Sequence, residues 1–279
     1  MKIFISADLE GVNGVVAPED VEEAGSGYQQ ARVFMTEEVN AVVEGAFAGG
    51  AAEILVCDSH NISQNIRMDL LDSRVRLMRG VSRRNSMVHG LDETFDGLIL
   101  LGYHAKFGTQ KAVLDHTYDP ITIADLSVNG HSVGEMGFNA LYAASKGVPL
   151  IMVTGDQALA AETKAFCPEA ETAVVKYAQG RYCAECLPRA ESQKLLRDTA
   201  EKAVRTAREK KAVPVKAGEK LEMTVTFRQT CMADGAEKLP GVRRTGAMSV
   251  AVEAENMEEL MGLRQVVFAA GGDCYNPMF

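Results

Sequence analysis

The sequence predicts an α/β fold, a mainly parallel, doubly wound sheet joined to a second, smaller α+β lobe. Three observations carry that expectation. Short apolar runs recur with helix-patterned stretches between them, chemically interesting polar residues follow directly on those runs, and the grammar of elements changes near residue 160.

Five runs read as strands: "KIFIS" (2–6), "EILVC" (53–57), "GLILLGY" (97–103), "ITIADLSV" (121–128) and "PLIMVTG" (149–155). Sheets covered on both faces favour near-continuous apolar strands of this kind. Between the first two runs, "MTEEVNAVVEGAFAGG" reads as a crossover helix. Thr36 is placed to cap it, acids fill its first turn, apolar positions follow at helical spacing, and the pair Gly49-Gly50 closes it. Residues 1–160 are therefore expected to form the α/β core.

Past residue 160, "RAESQKLLRDTAEKAVRTAREKK" predicts a long amphipathic helix with Leu195, Leu196, Ala200, Ala203 and Val204 on one face. Two strands follow, "KLEMTVTF" and "GAMSVAVEA", and a closing helix runs from Met257 to about Ala270. Residues 161–279 are expected to form the smaller lobe.

A chain of 279 residues, 47% hydrophobic, can bury a sizeable core. Its net charge of −9 argues against nucleic acid or an anionic membrane as partner, since both reward clustered Lys and Arg. The runs "SRRNS" and "REKKAVPVK" read as solvated surface. An acid at position 8 interrupts the first apolar stretch before a signal region is complete, and no run reaches membrane-spanning length, so a cytoplasmic location is expected. Six scattered cysteines fit reduced thiols better than a disulfide framework. "CAEC" (183–186) has metal-like spacing but lacks the second pair that a structural zinc site needs.

In open α/β sheets ligands bind beyond the carboxyl ends of the strands. Here "ISADLEGVNG" (5–14) closes its run with Asp8 and Glu10, which in an extended strand share one face. "EILVCDSH" ends in Asp58 and His60, "GLILLGYHAK" in His104, and "AVLDHTY" carries Asp115 and His116. Glu135 follows an Asn129-Gly130 turn and opens a helix.

Each residue has a plain structural counterpart. Asp8 and Glu10 could cap helices, His60 could occupy a turn, His104 could be a satisfied core histidine, and Glu135 could complement a helix dipole. Their convergence on one sheet edge favours a two-metal site instead. Such sites place ions about 3.5–4 Å apart and share a bridging carboxylate. Asp8, Glu10, His60, His104 and Glu135 supply five ligands, and two dications, three carboxylates and one hydroxide sum to zero charge. Mixed imidazole and carboxylate donors suit zinc better than magnesium or calcium.

With those residues in view, the chain resembles the D-aminopeptidases of peptidase family M55. The likeness is carried by "SADLEGVNG", "MTEEVNAVVEGAF", "VCDSHN", "MVHGLDETFDGLILLGYHAK", "VNGHSVGEMGFNALYAASKGVPLIMVTGD" and, more weakly, "VVKYAQGRYCAECL". The resemblance implies a binuclear zinc aminopeptidase that releases N-terminal residues, D-amino acids among them, from short peptides. It makes Asp8, Glu10, His60, His104 and Glu135 the ligands, with Asp8 bridging, and His116 the catalytic residue. It also implies a ring-shaped homo-oligomer, a decamer of two stacked pentamers. The family pattern has Ser before the catalytic His, whereas this chain has Asp115, a candidate orienting partner for His116. The second lobe, which matches least well, is expected to shape the substrate pocket and the assembly contacts.

In this reading hydroxide attacks a polarised carbonyl, while His116 stabilises the oxyanion or carries a proton to the leaving amine, with nucleophilic attack as its alternative role. Asp156 is expected to cap the helix that follows it. Three competing classes remain. A metal-dependent phosphohydrolase or esterase could use the same ions, although no dense Arg/Lys cluster lies near the ligands. A non-catalytic metal-binding scaffold would hold zinc without turnover. A dinucleotide-binding protein would need "GVNG" (11–14) to serve as a phosphate loop, but the full glycine pattern is missing.

Overall fold

The computed structural model of the chain describes residues 1–210, 218, 220–275 and 277. Its strands in chain order are β1 (Lys2–Ala7), β2 (Glu53–Asp58), β3 (Arg76–Met78), β4 (Gly97–Leu101), β5 (Ile123–Val128), β6 (His131–Ser132), β7 (Leu150–Asp156), β8 (Glu171–Gly180), β9 (Cys183–Cys186), β10 (Leu221–Phe227), β11 (Arg243–Arg244) and β12 (Ser249–Ala254). The helices are α1 (Pro18–Val21), α2 (Tyr28–Gly49), α3 (Glu135–Ser145), α4 (Gln157–Phe166), α5 (Arg189–Lys210), α6 (Thr230–Ala236) and α7 (Met257–Gly272). Two sheets result, ordered β3-β2-β1-β4-β7-β8-β9 and β11-β12-β10-β5-β6.

The first sheet is parallel except for its last pair, β8 with β9, and the second is antiparallel throughout. One face of the first sheet, with Ile3, Ile5, Val56 and Ile99, packs against α2 and α5. The other face, with Phe4, Leu98 and Leu100, shares a core with α3, α7 and the second sheet. Helices α2 and α5 approach closely because Gly45 and Gly49 lack side chains. A Cβ on Gly45 would fall 2.1 Å from the Arg197 carbonyl oxygen, and one on Gly49 2.7 Å from that of Glu201.

Sheet membership does not follow residue order across position 160. Strands β8 and β9 and helix α5 extend the first sheet's layers, whereas "ITIADLSV" supplies β5 to the second sheet. The cause is local. Asn129 and Gly130 both have positive φ (52° and 77°), so the chain reverses at once into β6, which pairs with one edge of β5 while β10 pairs with the other.

Helix α2 begins at Tyr28, eight residues before the expected Thr36 cap. Within the helix, the Thr36 hydroxyl donates to the Arg32 carbonyl (2.8 Å) and accepts from the Arg67 N–H (2.9 Å). A threonine that bonds back one turn is compatible with helix interior, so its capping chemistry did not fix the start. The glycine stop does operate, with Gly50 at φ 105°.

The "SRRNS" run is not simply solvated. Arg83 donates to the Asp58 carbonyl (2.9 Å), to the Ser63 hydroxyl (2.5 Å) and to the Cys57 sulfur (3.0 Å), fastening the loop after β2. In "REKKAVPVK", residues 211–216 lie outside the described residues. The six cysteines are free thiols. Cys183 and Cys186 lie three apart on strand β9, which turns their side chains to opposite faces and prevents joint chelation. No helix among the described residues is long and apolar enough to cross a membrane.

Candidate metal centre

The cluster forms where the central strands β1 and β4 end. Strand β1 stops at Ala7, so Asp8 and Glu10 occupy the loop that leaves it rather than one strand face. Asp8 still donates its N–H to the Leu101 carbonyl (2.8 Å), after which Gly11 donates to Gly102 (2.7 Å). A Cβ on Gly11 would stand 1.9 Å from the Tyr103 carbonyl oxygen, so glycine is required for the loop to lie this close to the turn after β4. Both acids end up buried, at 2% and 4% exposure.

Loops from three other elements bring the remaining groups. Asp58, at the end of β2, accepts from the N–H groups of Asn65 (2.6 Å) and Ile66 (2.7 Å) and from the Asn65 side chain (2.7 Å), folding the loop that carries His60. His104 lies just beyond β4. His116 comes from the loop before β5, and Glu135 is the first residue of α3.

His60 Nδ1 lies 3.3 Å from Asp8 Oδ1 and 3.1 Å from Glu10 Oε2. His104 Nε2 lies 3.6 Å from Asp8 Oδ2 and 3.3 Å from Glu135 Oε1. His116 Nε2 is 3.6 Å from the same Glu135 oxygen, and its ring stacks on His104 with centroids 4.0 Å apart. Each imidazole is aimed by a backbone carbonyl at its other nitrogen: Val21 for His60 (2.9 Å), Ala105 for His104 (3.1 Å) and Leu114 for His116 (2.8 Å). That arrangement turns the second nitrogen of each ring inward, the nitrogen that a metal-binding histidine offers once its proton is displaced. Tyr118 N–H donates to Glu135 Oε1 (2.6 Å) and Leu9 N–H to Asp8 Oδ1 (2.9 Å).

Asp8, Glu10, His60, His104, His116 and Glu135 come together here, although His60 falls in neither of the two groups of potential ligand atoms. One set of potential ligand atoms joins Asp8, Glu10 and His104; the other joins His104, His116 and Glu135. His116 therefore stands among possible ligands as well as beside them. Asp115 does not orient it, because its carboxylate accepts from Gly108 N–H (2.7 Å) and from Arg181 (2.5 Å). The Leu114 carbonyl takes that role, and a sequence carries no mark of which carbonyl will do so. Asp156 caps α4 through Leu159 N–H (2.9 Å) and also accepts from Val113 N–H (2.8 Å), steadying the His116 loop.

Burial pushes the Asp8 carboxyl up to about 7, and the neighbouring Glu10 charge adds to the rise. Burial alone would depress His104, but Glu135 and the other acids outweigh it and lift the imidazole to about 10. Glu10 is held well below the usual carboxylate range because His60 overcomes its burial, and His104 does the same for Glu135. His116 moves the other way, lowered by burial and then by the charge on His104. Protons here bind the cluster together as a cation would.

Asp8 Oδ2 and His104 Nε2 are buried with no hydrogen-bond partner, although they face each other. Leaving such atoms unsatisfied is costly, and a shared cation would satisfy both. Buried imidazole and carboxylate donors form the ligand set of a transition-metal centre, so the residues fit a divalent metal.

A parallel sheet that gathers three histidines and three carboxylates at its carboxyl edge defines an α/β metalloenzyme. The D-aminopeptidase model of peptidase family M55 matches residues 1–266, so the chain belongs to that family and is a peptidase of the hydrolase class. It is 34% identical to a curated D-aminopeptidase of Bacillus subtilis (strain 168) over 260 residues, 93% of each chain. Its fold superposes on the solved structure of the Zn-dependent D-aminopeptidase DppA from Bacillus subtilis, a self-compartmentalizing protease. That match has a TM-score of 0.93 and 32% identity, covering 98% of both chains.

Proposed function

We propose that the chain is a zinc-dependent aminopeptidase that holds two zinc ions per subunit and releases N-terminal residues, D-amino acids among them, from short peptides. The observation that carries this reading is the placement of Asp8. Its two oxygens are divided between His60 (3.3 Å) and His104 (3.6 Å), so Asp8 would be shared by the two sides of such a centre. Glu10 and His60 would complete one side, His104 and Glu135 the other. Zinc bound there supplies Lewis-acid polarisation of the scissile carbonyl and water activated near neutral pH.

The chain's own residues do the rest. His116 is kept neutral by burial, and its Nδ1–H is committed to the Leu114 carbonyl. The lone pair on Nε2 is free to take a proton and return it to the leaving amine. Tyr118 and Leu9 hold the Glu135 and Asp8 carboxylates in place through their backbone N–H groups. A second reading makes His116 a further metal ligand, favoured by its Nε2 lying 3.6 Å from Glu135 in a set shared with His104.

The self-compartmentalizing relative supports a ring-shaped homo-oligomer, which we propose to be a decamer of two stacked pentamers, with residues 161–279 shaping the substrate pocket and assembly contacts. Six free thiols support a reducing, cytoplasmic location. The test is a screen of zinc-loaded protein against D- and L-aminoacyl p-nitroanilides, dipeptides and p-nitrophenyl phosphate. Aminoacyl hydrolysis that a chelator abolishes supports the proposal. Phosphatase activity alone, or zinc binding with no turnover, overturns it. Light scattering tests assembly: a monomer of 30.1 kDa at micromolar concentration would remove the ring and leave the chemistry standing.

A further inference from the structure

Lys176 lies within β8 and is completely buried. Its ammonium donates to three backbone carbonyls: Glu10 at 2.5 Å, Val12 at 2.9 Å and Val15 at 2.5 Å. All three belong to the loop that carries Asp8 and Glu10 out of β1. Asp156 and Glu38 contribute negative potential nearby, but the direct partners are carbonyls.

Removing an ammonium from water is costly, and an apolar side chain of the same length would fill the space more cheaply. What the charge supplies here is a three-pronged grip on one loop. That loop lies over the strand ends. Gly11 N–H reaches the Gly102 carbonyl beyond β4 (2.7 Å), Gly102 N–H reaches the Thr154 hydroxyl in β7 (2.8 Å), and Lys176 secures the span from β8. Asn13 adds outer ties, its N–H to Glu38 Oε1 (3.0 Å) and its side chain to the Leu187 carbonyl (2.8 Å). Only Lys176 among these holds the backbone of Glu10 itself.

We infer that Lys176 is a positioning residue for the metal centre: by gripping the Glu10 carbonyl it fixes the Glu10 carboxylate against His60 and thereby sets how tightly metal is held. The inference rests on the zinc reading of the cluster. Groups behind metal ligands typically alter affinity by ~10–100-fold when removed. A lysine that merely anchored a loop would change the stability of the metal-free protein and leave the zinc affinity of the folded protein unchanged.

The experiment titrates zinc against a chromophoric chelator in wild-type protein, Lys176→Met and Lys176→Gln, and records the melting temperature of each metal-free form. Lys176→Met is expected to bind zinc ~10–100-fold more weakly, with Lys176→Gln between it and wild type. Activity of both should recover largely in excess zinc. A folded Lys176→Met that binds zinc within twofold of wild type overturns the inference. So does failure of both variants to fold, which would make Lys176 a general structural anchor. Wild-type protein that binds no zinc overturns the metal reading and this inference with it.

Discussion

The two halves of the cluster are built from similar residues, yet they are satisfied differently. On one side His60 is held at both nitrogens, by Val21 carbonyl at 2.9 Å and by Glu10 at 3.1 Å, so a proton already links the pair. On the other side His104 Nε2 and Asp8 Oδ2 face each other without a bond, under a stacked His116. The first half resembles a closed ion pair, whereas in the second the facing polar atoms are buried without a partner. The difference points to Asp8, which belongs to both, as the residue on which they depend.

Asp8→Ala should give the largest loss. It removes the only carboxylate shared by the halves, so elemental analysis should find zinc content falling well below that of Glu10→Ala. Activity should drop beyond the ~10²–10⁴-fold expected from losing proton transfer alone. Equal zinc content in the two variants would break the picture of a shared ligand.

His116→Ala ranks next, with turnover reduced ~10²–10⁴-fold while both ions and substrate binding persist. Loss of one ion instead would make His116 a ligand, and turnover within a few-fold of wild type would remove it from the chemistry.

The halves themselves are separated by comparing His104→Ala with His60→Ala. His104 Nε2 lies between Asp8 and Glu135 with no hydrogen bond of its own, whereas His60 is bonded at both nitrogens, so loss of His104 should weaken zinc binding more, and excess zinc should partly restore either variant. The same comparison has a pH signature. In the metal-free protein Asp8 titrates at about 7 and His104 at about 10, so zinc must displace protons at neutral pH. Affinity should therefore fall as pH falls from 8 to 6, and wild-type binding should release protons measurable in weakly buffered solution. His104→Ala should release fewer. The smallest effect belongs to the exposed pair on β9: replacing Cys183 and Cys186 by Ser should leave zinc content unchanged and stability within about 0.5 kcal/mol.

Much of the candidate cluster is legible in the sequence because ligand-type residues directly follow apolar runs. A parallel sheet brings the carboxyl ends of its strands together whatever lies between them in the chain, so Asp8, Asp58 and His104 had to approach one edge. Glu135 was visible as the opening residue of a helix. Other features were hidden. Asp115 looked like a partner for His116, but it pairs with Arg181, 66 positions away, and only the folded loop brings those two together. Lys176 interrupts the apolar run "VVKYA", and nothing near it in the sequence says that its ammonium reaches a loop more than 160 residues earlier.

The sequence by itself determined the local elements: apolar runs that form strands, a glycine stop after α2, a reversal at Asn129-Gly130 and an acid capping α4. These follow from side-chain volume and backbone freedom within a few residues. Tertiary structure alone decided which sheet each strand joined, which carbonyl aimed each histidine, and that Asp8 would stand between two imidazoles with one oxygen unsatisfied. Those outcomes depend on distances between segments far apart in the chain, which are set when the two faces of the first sheet bury their apolar residues and not by any local preference.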